Sequence, residues 1–307
     1  MTKQTKSRFS SPFRPLLALA AGLGALLSSA CTLENLNRIV PDGAYQSIRN
    51  LPYGPHPRQT LDVHWPKGPP PAEGWPVAVW IYGGSWESGD KWQYRFVAQT
   101  LAKLGWATVI PDYRVAPEVR FPAFVEDTAL AVAWTQSREG RRAMEQAMGP
   151  IRKSRVLMGH SAGAYNAAMV AYNPRWLRQA GGDPTAVTGF VGLAGPYDIH
   201  PYDVPLTKRL FGHETDPERV EPMPHLGPDS PSSLLVTGDG DETVLPRHTH
   251  ILAESIRDST GDPGRVTEIT LPGAGHAGVL VGLTKILEKP RLTEALSRFL
   301  QSRQRDP

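Results

Sequence analysis

The most informative stretch of the sequence is RVLMGHSAGAYNAA, residues 155–168. Residues 155–159, apolar after Arg155, predict a strand, and the small residues at 162–172 predict a helix. Between them, glycines flank Ser161 on both sides. A sharp turn from strand to helix strains the backbone of its central residue, and it lifts that side chain clear of the sheet, at the positive end of the helix dipole. The other interpretation is a tight turn whose serine only caps the helix.

Apolar strands alternate with helical segments on both sides of this turn. Further strands are predicted at 61–65, 77–83, 107–113, 189–195, 233–238 and 266–271. Further helices are predicted at 92–104, 122–148 with an interruption near Gly140, 247–258 and 292–301. This alternation is typical of the α/β class, with a mostly parallel central sheet flanked by helices.

One large domain accounts for the length and composition. The chain has 307 residues, of which 40% are hydrophobic and 21% charged. We expect an N-terminal arm at 31–58 and one catalytic domain at 59–303. The proline-rich segment 196–232 interrupts the alternation, so we expect a short insertion that is either a lid or substrate wall, or a surface excursion without a role. Lys and Arg (33) nearly balance Asp and Glu (30), and no basic run contains aromatics, so nucleic acid is not an expected partner.

The first 31 residues indicate export. Residues 1–15 carry four basic and no acidic side chains, 16–27 are apolar, and Ser28-Ser29-Ala30-Cys31 follows. This order predicts a signal peptide at 1–30. Cys31 is the single cysteine, so the chain has no internal disulfide. The segment resembles the lipobox of bacterial lipoproteins, although Ser28 stands where leucine is usual. We expect a lipidated, membrane-attached or periplasmic protein; simple secretion after cleavage at Ala30 and an uncleaved anchor are the alternatives.

A second glycine-rich turn follows the strand at 77–83. It reads IYGGSW at 81–86, and its backbone N–H groups can approach a substrate closely. Acyl transfer builds negative charge on a carbonyl oxygen, which such donors stabilise. Gly83 and Gly84, together with the N–H of Ala162, are therefore the predicted oxyanion hole. A turn that merely requires positive φ is the alternative.

Ser161 needs a general base, because a serine hydroxyl is a weak nucleophile at neutral pH. His276 lies in a small-residue loop after a predicted strand, in LPGAGHAG at 271–278, and is the candidate. His248 and His250 are expected at the surface of a helix. His160 neighbours the nucleophile, so we expect its side chain to face away and to serve packing.

An acid must orient that base, and Asp241 is the candidate. It lies in DGDETV at 239–244, directly after a predicted strand. Asp239 is the alternative. A calcium loop is disfavoured because too few acids are suitably spaced, so no metal site is predicted. The order Ser161, Asp241, His276 is the nucleophile–acid–histidine order of α/β-hydrolases.

The chain resembles the α/β-hydrolase fold esterases of the hormone-sensitive-lipase and feruloyl-esterase-like branch, including isoprenylcysteine methylesterase-like carboxylesterases. The resemblance runs from about 61 to 300. It rests on YGGSWESGDK (82–91), PDYRVAPEVRFPAFVED (111–127), LMGHSAGAYNAA (157–168), GLAGPYDI (192–199) and the loops of Asp241 and His276.

The resemblance implies a serine hydrolase of carboxylesterase type, which acts on small or medium carboxylic esters without a metal or organic cofactor. A formamidase or peptide hydrolase with the same triad is the alternative, and a non-catalytic binding module is a further one. The resemblance also implies that Asp112, Tyr113 and Arg114 hold the sheet edge and the loop at 82–89, here named the oxyanion loop, and that Asp127 pins the adjacent helix. Tyr82 departs from the family, which often has histidine there. The oligomeric state stays open.

Overall fold

The computed structural model describes residues 35–38, 43–284 and 290–304. The predicted signal peptide at 1–30 and the lipidation candidate Cys31 lie outside these ranges. None of the helices within them combines the length and the apolar character that a bilayer-spanning segment needs.

Eight strands in the described ranges form one sheet, in the order β1-β2-β4-β3-β5-β6-β7-β8. Their bounds are β1 Gln46–Pro52, β2 Thr60–Trp65, β3 Trp75–Ile81, β4 Ala107–Pro111, β5 Ile151–His160, β6 Val187–Leu193, β7 Ser232–Gly238 and β8 Val266–Leu271. The pairs β1–β2 and β2–β4 are antiparallel, whereas the pairs from β4–β3 to β7–β8 are parallel. The predicted mostly parallel sheet is confirmed.

Helices cover both faces of this sheet. They are α1 Arg95–Lys103, α2 Ala123–Gln136, α3 Arg138–Met148, α4 Ala162–Tyr172, α5 Pro174–Gln179, α6 Pro205–Phe211, α7 Pro217–Val220, α8 Arg247–Thr260, α9 His276–Val281 and α10 Pro290–Gln304. Successive side chains of a strand point to opposite faces, and all seven residues of the central strand β3 are buried. Its continuous apolar run therefore reflects helices packed on both sides.

Within the predicted N-terminal arm, residues 46–52 form a strand that the sequence pattern did not indicate, β1, which pairs with β2. Two features explain why the pattern did not show a strand. β1 is an edge strand with mostly exposed side chains, and a bulge lies between Ile48 and Leu51. Within the bulge, Asn50 has φ of 57° and its N–H donates to the Asp62 carboxylate at 2.9 Å. The bulge breaks the alternation of period two that identifies a half-buried strand.

The long helical segment at 122–148 is interrupted near Gly140, as predicted, with the break at Ser137. Ser137 ends α2 and starts α3, and its side chain accepts a hydrogen bond from the Gly140 N–H at 3.0 Å. Gly140 lies inside α3, where a Cβ would meet the Trp134 carbonyl oxygen at 1.9 Å. The glycine therefore permits a close approach between two helices and does not end one.

The remaining boundaries shift by a few residues. β5 begins at Ile151, before the predicted 155, and β6 ends at Leu193 and not at 195. The predicted strands at 77–83 and 107–113 end earlier, at Ile81 and Pro111. Strand ends are set by hydrogen-bonding partners, which a single sequence does not specify.

The insertion at 196–232 is ordered and contains α6 and α7. The ring of Phe211, at the end of α6, packs against Trp86 at 5.1 Å between ring centroids and against Tyr165 at 5.5 Å. All three side chains are buried. The insertion thus lies on the oxyanion loop and on the helix after the nucleophile, which fits a wall of the site better than a detached excursion.

His64, in β2, should make the stability of the protein depend on pH. Burial, followed by the charges of Arg49 and Arg95, lowers the pKa of this histidine to about 3. The unfolded chain binds the proton near pH 6.5 and the folded chain does not, so stability falls as pH falls through 6.5. Between pH 7 and pH 5, His64 should cost about 2 kcal/mol of unfolding free energy. Urea unfolding of wild type and His64→Phe at both pH values measures this; equal pH dependence in the two proteins contradicts it.

Candidate active site

Ser161 forms the sharp turn between β5 and α4 that its sequence predicts. Its backbone has φ of 55° and ψ of −129°, a conformation that costs free energy for a residue with a Cβ. The Ser161 N–H donates to the Leu193 carbonyl at 2.9 Å, and its own carbonyl accepts from the Ala164 N–H at 2.9 Å. The turn is therefore fastened both to β6 and to the first turn of α4.

Gly163 lets this turn approach the neighbouring strand. A Cβ on Gly163 would lie 2.2 Å from the Ile81 carbonyl oxygen and 2.3 Å from that of Tyr82. These distances are shorter than non-bonded contacts allow. No residue other than glycine therefore fits at position 163 unless the backbone of the turn or of Ile81 and Tyr82 moves. The nucleophile turn and the end of β3 are consequently in contact.

The three predicted triad residues converge. His276 Nε2 lies 2.9 Å from Ser161 Oγ, and His276 Nδ1 lies 2.7 Å from Asp241 Oδ2. Asp241 is 2% exposed and Ser161 9%. A carboxylate can only accept, so His276 Nδ1 carries the proton in this contact and Nε2 is left to accept from the serine hydroxyl. The arrangement can deprotonate Ser161.

Asp241 also shapes the loop in which it lies. Its Oδ1 accepts hydrogen bonds from the N–H groups of Thr243 and Val244, both at 2.9 Å. The carboxylate therefore bonds the loop with one oxygen and the base with the other. Val244 is buried, as its place three residues after Asp241 indicated.

The alternative acid, Asp239, has a different role. Its Oδ1 accepts from the Gly273 N–H at 2.7 Å, in the loop between β8 and α9. The Gly240 N–H donates to the Ala274 carbonyl at 3.1 Å and reinforces this contact. Asp239 thus fastens the loop of the acid to the loop of the base, and it does not bond the imidazole.

His276 lies at the start of a helix and not in the middle of a loop. The loop after β8 ends at Gly275, which precedes α9. A helical start fixes the direction of the Cα–Cβ bond more tightly than a loop does. The short helix was not apparent in a sequence of small residues and valines.

The three predicted oxyanion-hole donors lie beside Ser161 or next to it in the chain. The absence of a side chain at Gly83 permits close contact with the nucleophile turn, because a Cβ there would lie 2.9 Å from Ser161 Cβ. Ala162 is the first residue of α4, so its N–H has no acceptor within the helix. Gly83, Gly84 and Ala162 stay the candidate donors.

The backbone after Gly83 is held in an unusual conformation. Gly84, Ser85 and Trp86 have φ of 128°, 56° and 57°. Ser85 and Trp86 are two successive non-glycine residues at positive φ, and the strain in their backbone must be offset by surrounding contacts. The buried Trp86 provides them: its Nε1 donates to Asn166 Oδ1 at 2.9 Å, and its ring packs against Phe124 at 5.6 Å.

Asp112 holds the beginning of the same loop. Its Oδ1 accepts from the Tyr82 hydroxyl at 2.7 Å and from the Lys91 N–H at 2.8 Å, and its Oδ2 contacts Lys91 Nζ at 3.0 Å. The Tyr113 hydroxyl donates to the Tyr82 carbonyl at 2.9 Å. The implied structural role of Asp112 and Tyr113 is confirmed, and Tyr82 is part of this support where the family often has histidine.

Arg58 is a residue of this support that sequence reasoning missed. Its guanidinium donates to the Tyr82 hydroxyl at 2.9 Å, to the Gly89 carbonyl at 2.9 Å and to the Tyr113 carbonyl at 2.8 Å. It lies in a turn-rich stretch just before β2, where no pattern distinguishes it from a surface arginine. Only the folded chain shows that it spans both ends of the oxyanion loop.

Asp127 joins three segments. Its carboxylate accepts from the side chain and backbone N–H of Arg114, at distances between 2.7 and 3.1 Å, and from Gln59 Nε2 at 2.7 Å. Asp127 is buried within α2, so it pins that helix to the chain after β4 and to the stretch before β2.

The other histidines differ from one another. His250 is exposed, as expected, but His248 is half buried and its Nδ1 accepts from the Asp198 N–H at 3.3 Å. His160 is buried, and its ring lies 4.7 Å from that of His276 between centroids. The expectation that His160 faces away is wrong, because the tight turn brings its imidazole against the base.

The chain is similar in sequence to known esterases. It is 29% identical over 250 residues to the esterase LipC of Mycobacterium tuberculosis, which covers 76% of this chain and 60% of that protein. It is 27% identical over 200 residues to a rice protein named "Probable isoprenylcysteine alpha-carbonyl methylesterase ICME", covering 62% of this chain and 46% of the relative. The chain thus spans about half the length of these relatives.

Solved structures share the fold. Esterase B of Lactobacillus rhamnosis superposes with a TM-score of 0.69 at 20% identity, over 94% of this chain and 98% of that one. An esterase of Pyrobaculum calidifontis gives 0.67 at 21% identity, over 96% of both chains. At this identity the likeness shows the α/β-hydrolase fold alone.

Residues 61–256 match the model of the family described as BD-FAE. This match spans β2 to α8 and so includes the oxyanion loop, the nucleophile turn and the acid loop. On this match, over more than half of its length, the chain belongs to the BD-FAE family.

Proposed function

We propose that this protein is a serine hydrolase of carboxylesterase type that cleaves small or medium carboxylic esters. The observation that carries the proposal is the continuous contact from Asp241 through His276 to Ser161, at 2.7 and 2.9 Å. Core packing does not explain why a buried carboxylate, an imidazole and a strained serine contact one another in the order Asp241, His276, Ser161. The esterase names of the relatives support ester substrates.

The reaction proceeds by two acyl transfers. Ser161 Oγ attacks the ester carbonyl while His276 Nε2 takes its proton, and His276 returns that proton to the alcohol that leaves. Water then attacks the acyl-enzyme with His276 as base, and the acid is released. Asp241 keeps the proton on Nδ1 and stabilises the imidazolium that forms in both steps.

The oxyanion forms between the ends of β3 and β5. The Ala162 N–H lies at the N-terminus of α4, where the helix dipole favours negative charge. The N–H groups of Gly83 and Gly84 are the other proposed donors. The fixed backbone from Gly84 to Trp86 supports this role, because preorganised donors need no rearrangement as charge develops.

Ser161→Ala should lower ester turnover by several orders of magnitude and leave the fold intact, because it removes the nucleophile alone. p-Nitrophenyl esters of increasing acyl length measure turnover, and a fluorophosphonate should label the peptide that contains Ser161. Ser154→Ala, in the first half of β5, is the matched control and should act like wild type. Near-wild-type turnover of Ser161→Ala, or labelling of another residue, refutes the assignment of the nucleophile.

The same assays test the bond that is cleaved. If the wild type turns over only aryl formamides or peptide amides, the triad assignment stands and the ester specificity is overturned.

Asp241→Asn should lower kcat by about 10³–10⁴-fold. The amide oxygen can still accept from Thr243 and Val244, so the loop should keep its shape. The amide nitrogen would face His276 Nδ1 as a donor, which moves the imidazole proton to Nε2 and prevents that atom from accepting from Ser161. Asp239→Asn is the matched control and should keep kcat within a few-fold. Equal losses in the two variants contradict the assignment of the acid.

We also propose that the chain is exported and attached to a membrane through a lipid on Cys31. The support is the sequence at 1–31 alone. Expressed in a bacterium, the wild type should sediment with membranes, and Cys31→Ser should be released or stay unprocessed. Mass spectrometry of the N-terminal peptide decides between the outcomes. An unmodified peptide that begins at residue 31 would mean simple secretion, and an intact peptide 1–31 an uncleaved anchor; either overturns lipidation.

A further inference from the structure

His160 is a buried titratable residue beside the nucleophile that the proposed acyl transfer does not use. It is 6% exposed and ends β5, one residue before Ser161. Its imidazole does not point into solvent or into a separate core. It lies between the oxyanion loop on one side and the start of α9 on the other.

The contact with α9 is made to the backbone of the base. His160 Nε2 lies 3.3 Å from the carbonyl oxygen of His276. A carbonyl oxygen can only accept, so Nε2 carries the proton of His160 and donates. The two imidazole rings lie 4.7 Å apart between centroids, with 42° between their planes. His160 therefore contacts both the peptide group and the ring of His276.

The contact with the oxyanion loop is equally close. A Cβ built on Gly83 would lie 3.2 Å from His160 Nδ1 and 2.9 Å from the His160 carbonyl oxygen. The imidazole edge thus rests against the Gly83 backbone, with no room for a side chain between them. One ring touches the loop that holds the candidate donors and the residue that acts as base.

His160 is neutral in this position. Burial and then the neighbouring His276 lower its pKa well below the ordinary value, and the bond to the His276 carbonyl raises it only in part. A second positive charge next to the imidazolium of the acyl-transfer steps would oppose its formation. A neutral His160 ring makes the same contacts without this electrostatic repulsion.

We propose that His160 is a positioning residue for His276: its Nε2–H holds the His276 peptide group, and so keeps the base within reach of the Ser161 hydroxyl. The proposal rests on the proposed serine hydrolase function. Loss of this hold lets the start of α9 move relative to Ser161. A displacement of about 1 Å between reacting groups costs about 100-fold in rate.

A purely structural role gives different expectations. If His160 only fills space, a substitution lowers stability, and active molecules keep the wild-type kcat. If it positions the base, kcat falls in molecules that are fully folded. KM should change little, because both imidazole nitrogens of His160 lie against protein, Nε2 at the His276 carbonyl and Nδ1 beside the Gly83 backbone.

The test compares His160→Phe, His160→Gln and His160→Asn. Phenylalanine keeps a flat ring and loses the donor. The amide nitrogen of glutamine can reach the place of Nε2, whereas asparagine is one methylene shorter and cannot. We expect kcat to fall about 10–100-fold in the Phe and Asn variants, with KM within about threefold, and glutamine to recover most of the rate. If the larger Phe side chain prevents folding, the comparison of kcat between His160→Gln and His160→Asn still tests the proposal.

His64→Phe is the matched control. It replaces another buried, neutral histidine by the same residue, but on β2, where the His64 ring packs against Tyr45. It should alter stability without altering kcat. Thermal unfolding and far-UV circular dichroism of each variant confirm that folded molecules are compared.

Fluorophosphonate labelling separates this inference from the proposed ester specificity. The label reacts with Ser161 only when His276 is in place, so its rate reports positioning even without a known substrate. Slow labelling of His160→Phe and His160→Asn and faster labelling of His160→Gln support the inference. Wild-type labelling and kcat in all three variants, or equal losses in His160→Gln and His160→Asn, overturn it. A wild type that labels but cleaves no ester refutes only the ester specificity.

Discussion

The contact between the nucleophile turn and the end of β3 is the constraint on which the site depends. β3 and β5 are parallel neighbours, so the oxyanion loop and Ser161 leave the sheet at the same edge. Contact between them still requires that Gly163 has no side chain, because a Cβ there would collide with the carbonyl groups of Ile81, which ends β3, and of Tyr82, which follows it. The acid and base loops follow β7 and β8, which end at the same edge. The topology of the sheet thus gathers four segments, and one glycine lets two of them meet.

Buried polar groups then fix the positions of these segments. Asp112 binds the start of the oxyanion loop, and Asp241 binds both its own loop and the base. A buried carboxylate is stable only when its oxygens have partners, so each of them restricts the backbone around it. Apolar packing also fixes these segments, because the contact between Trp86 and Phe211 joins the oxyanion loop to the insertion. Strain at Ser85 and Trp86 is offset by these contacts and keeps the loop in a single conformation.

Much of this arrangement was predictable because it depends on local chemistry. A glycine-flanked serine between a strand and a helix has few other stable geometries, and a loop after a parallel strand must lie at the carboxyl edge. Ser161, Asp241 and His276 were found by these arguments. β1 was missed because an edge strand with a bulge has no regular apolar alternation.

Periodicity, turn residues and chain order were enough to predict the class of fold, the order of its elements and the three candidate triad residues. Only the packing of the folded chain shows that Arg58 spans the oxyanion loop and that His160 rests against the base. These are contacts between residues distant along the chain. Their distances and directions depend on how strands and helices pack, and no local pattern encodes that.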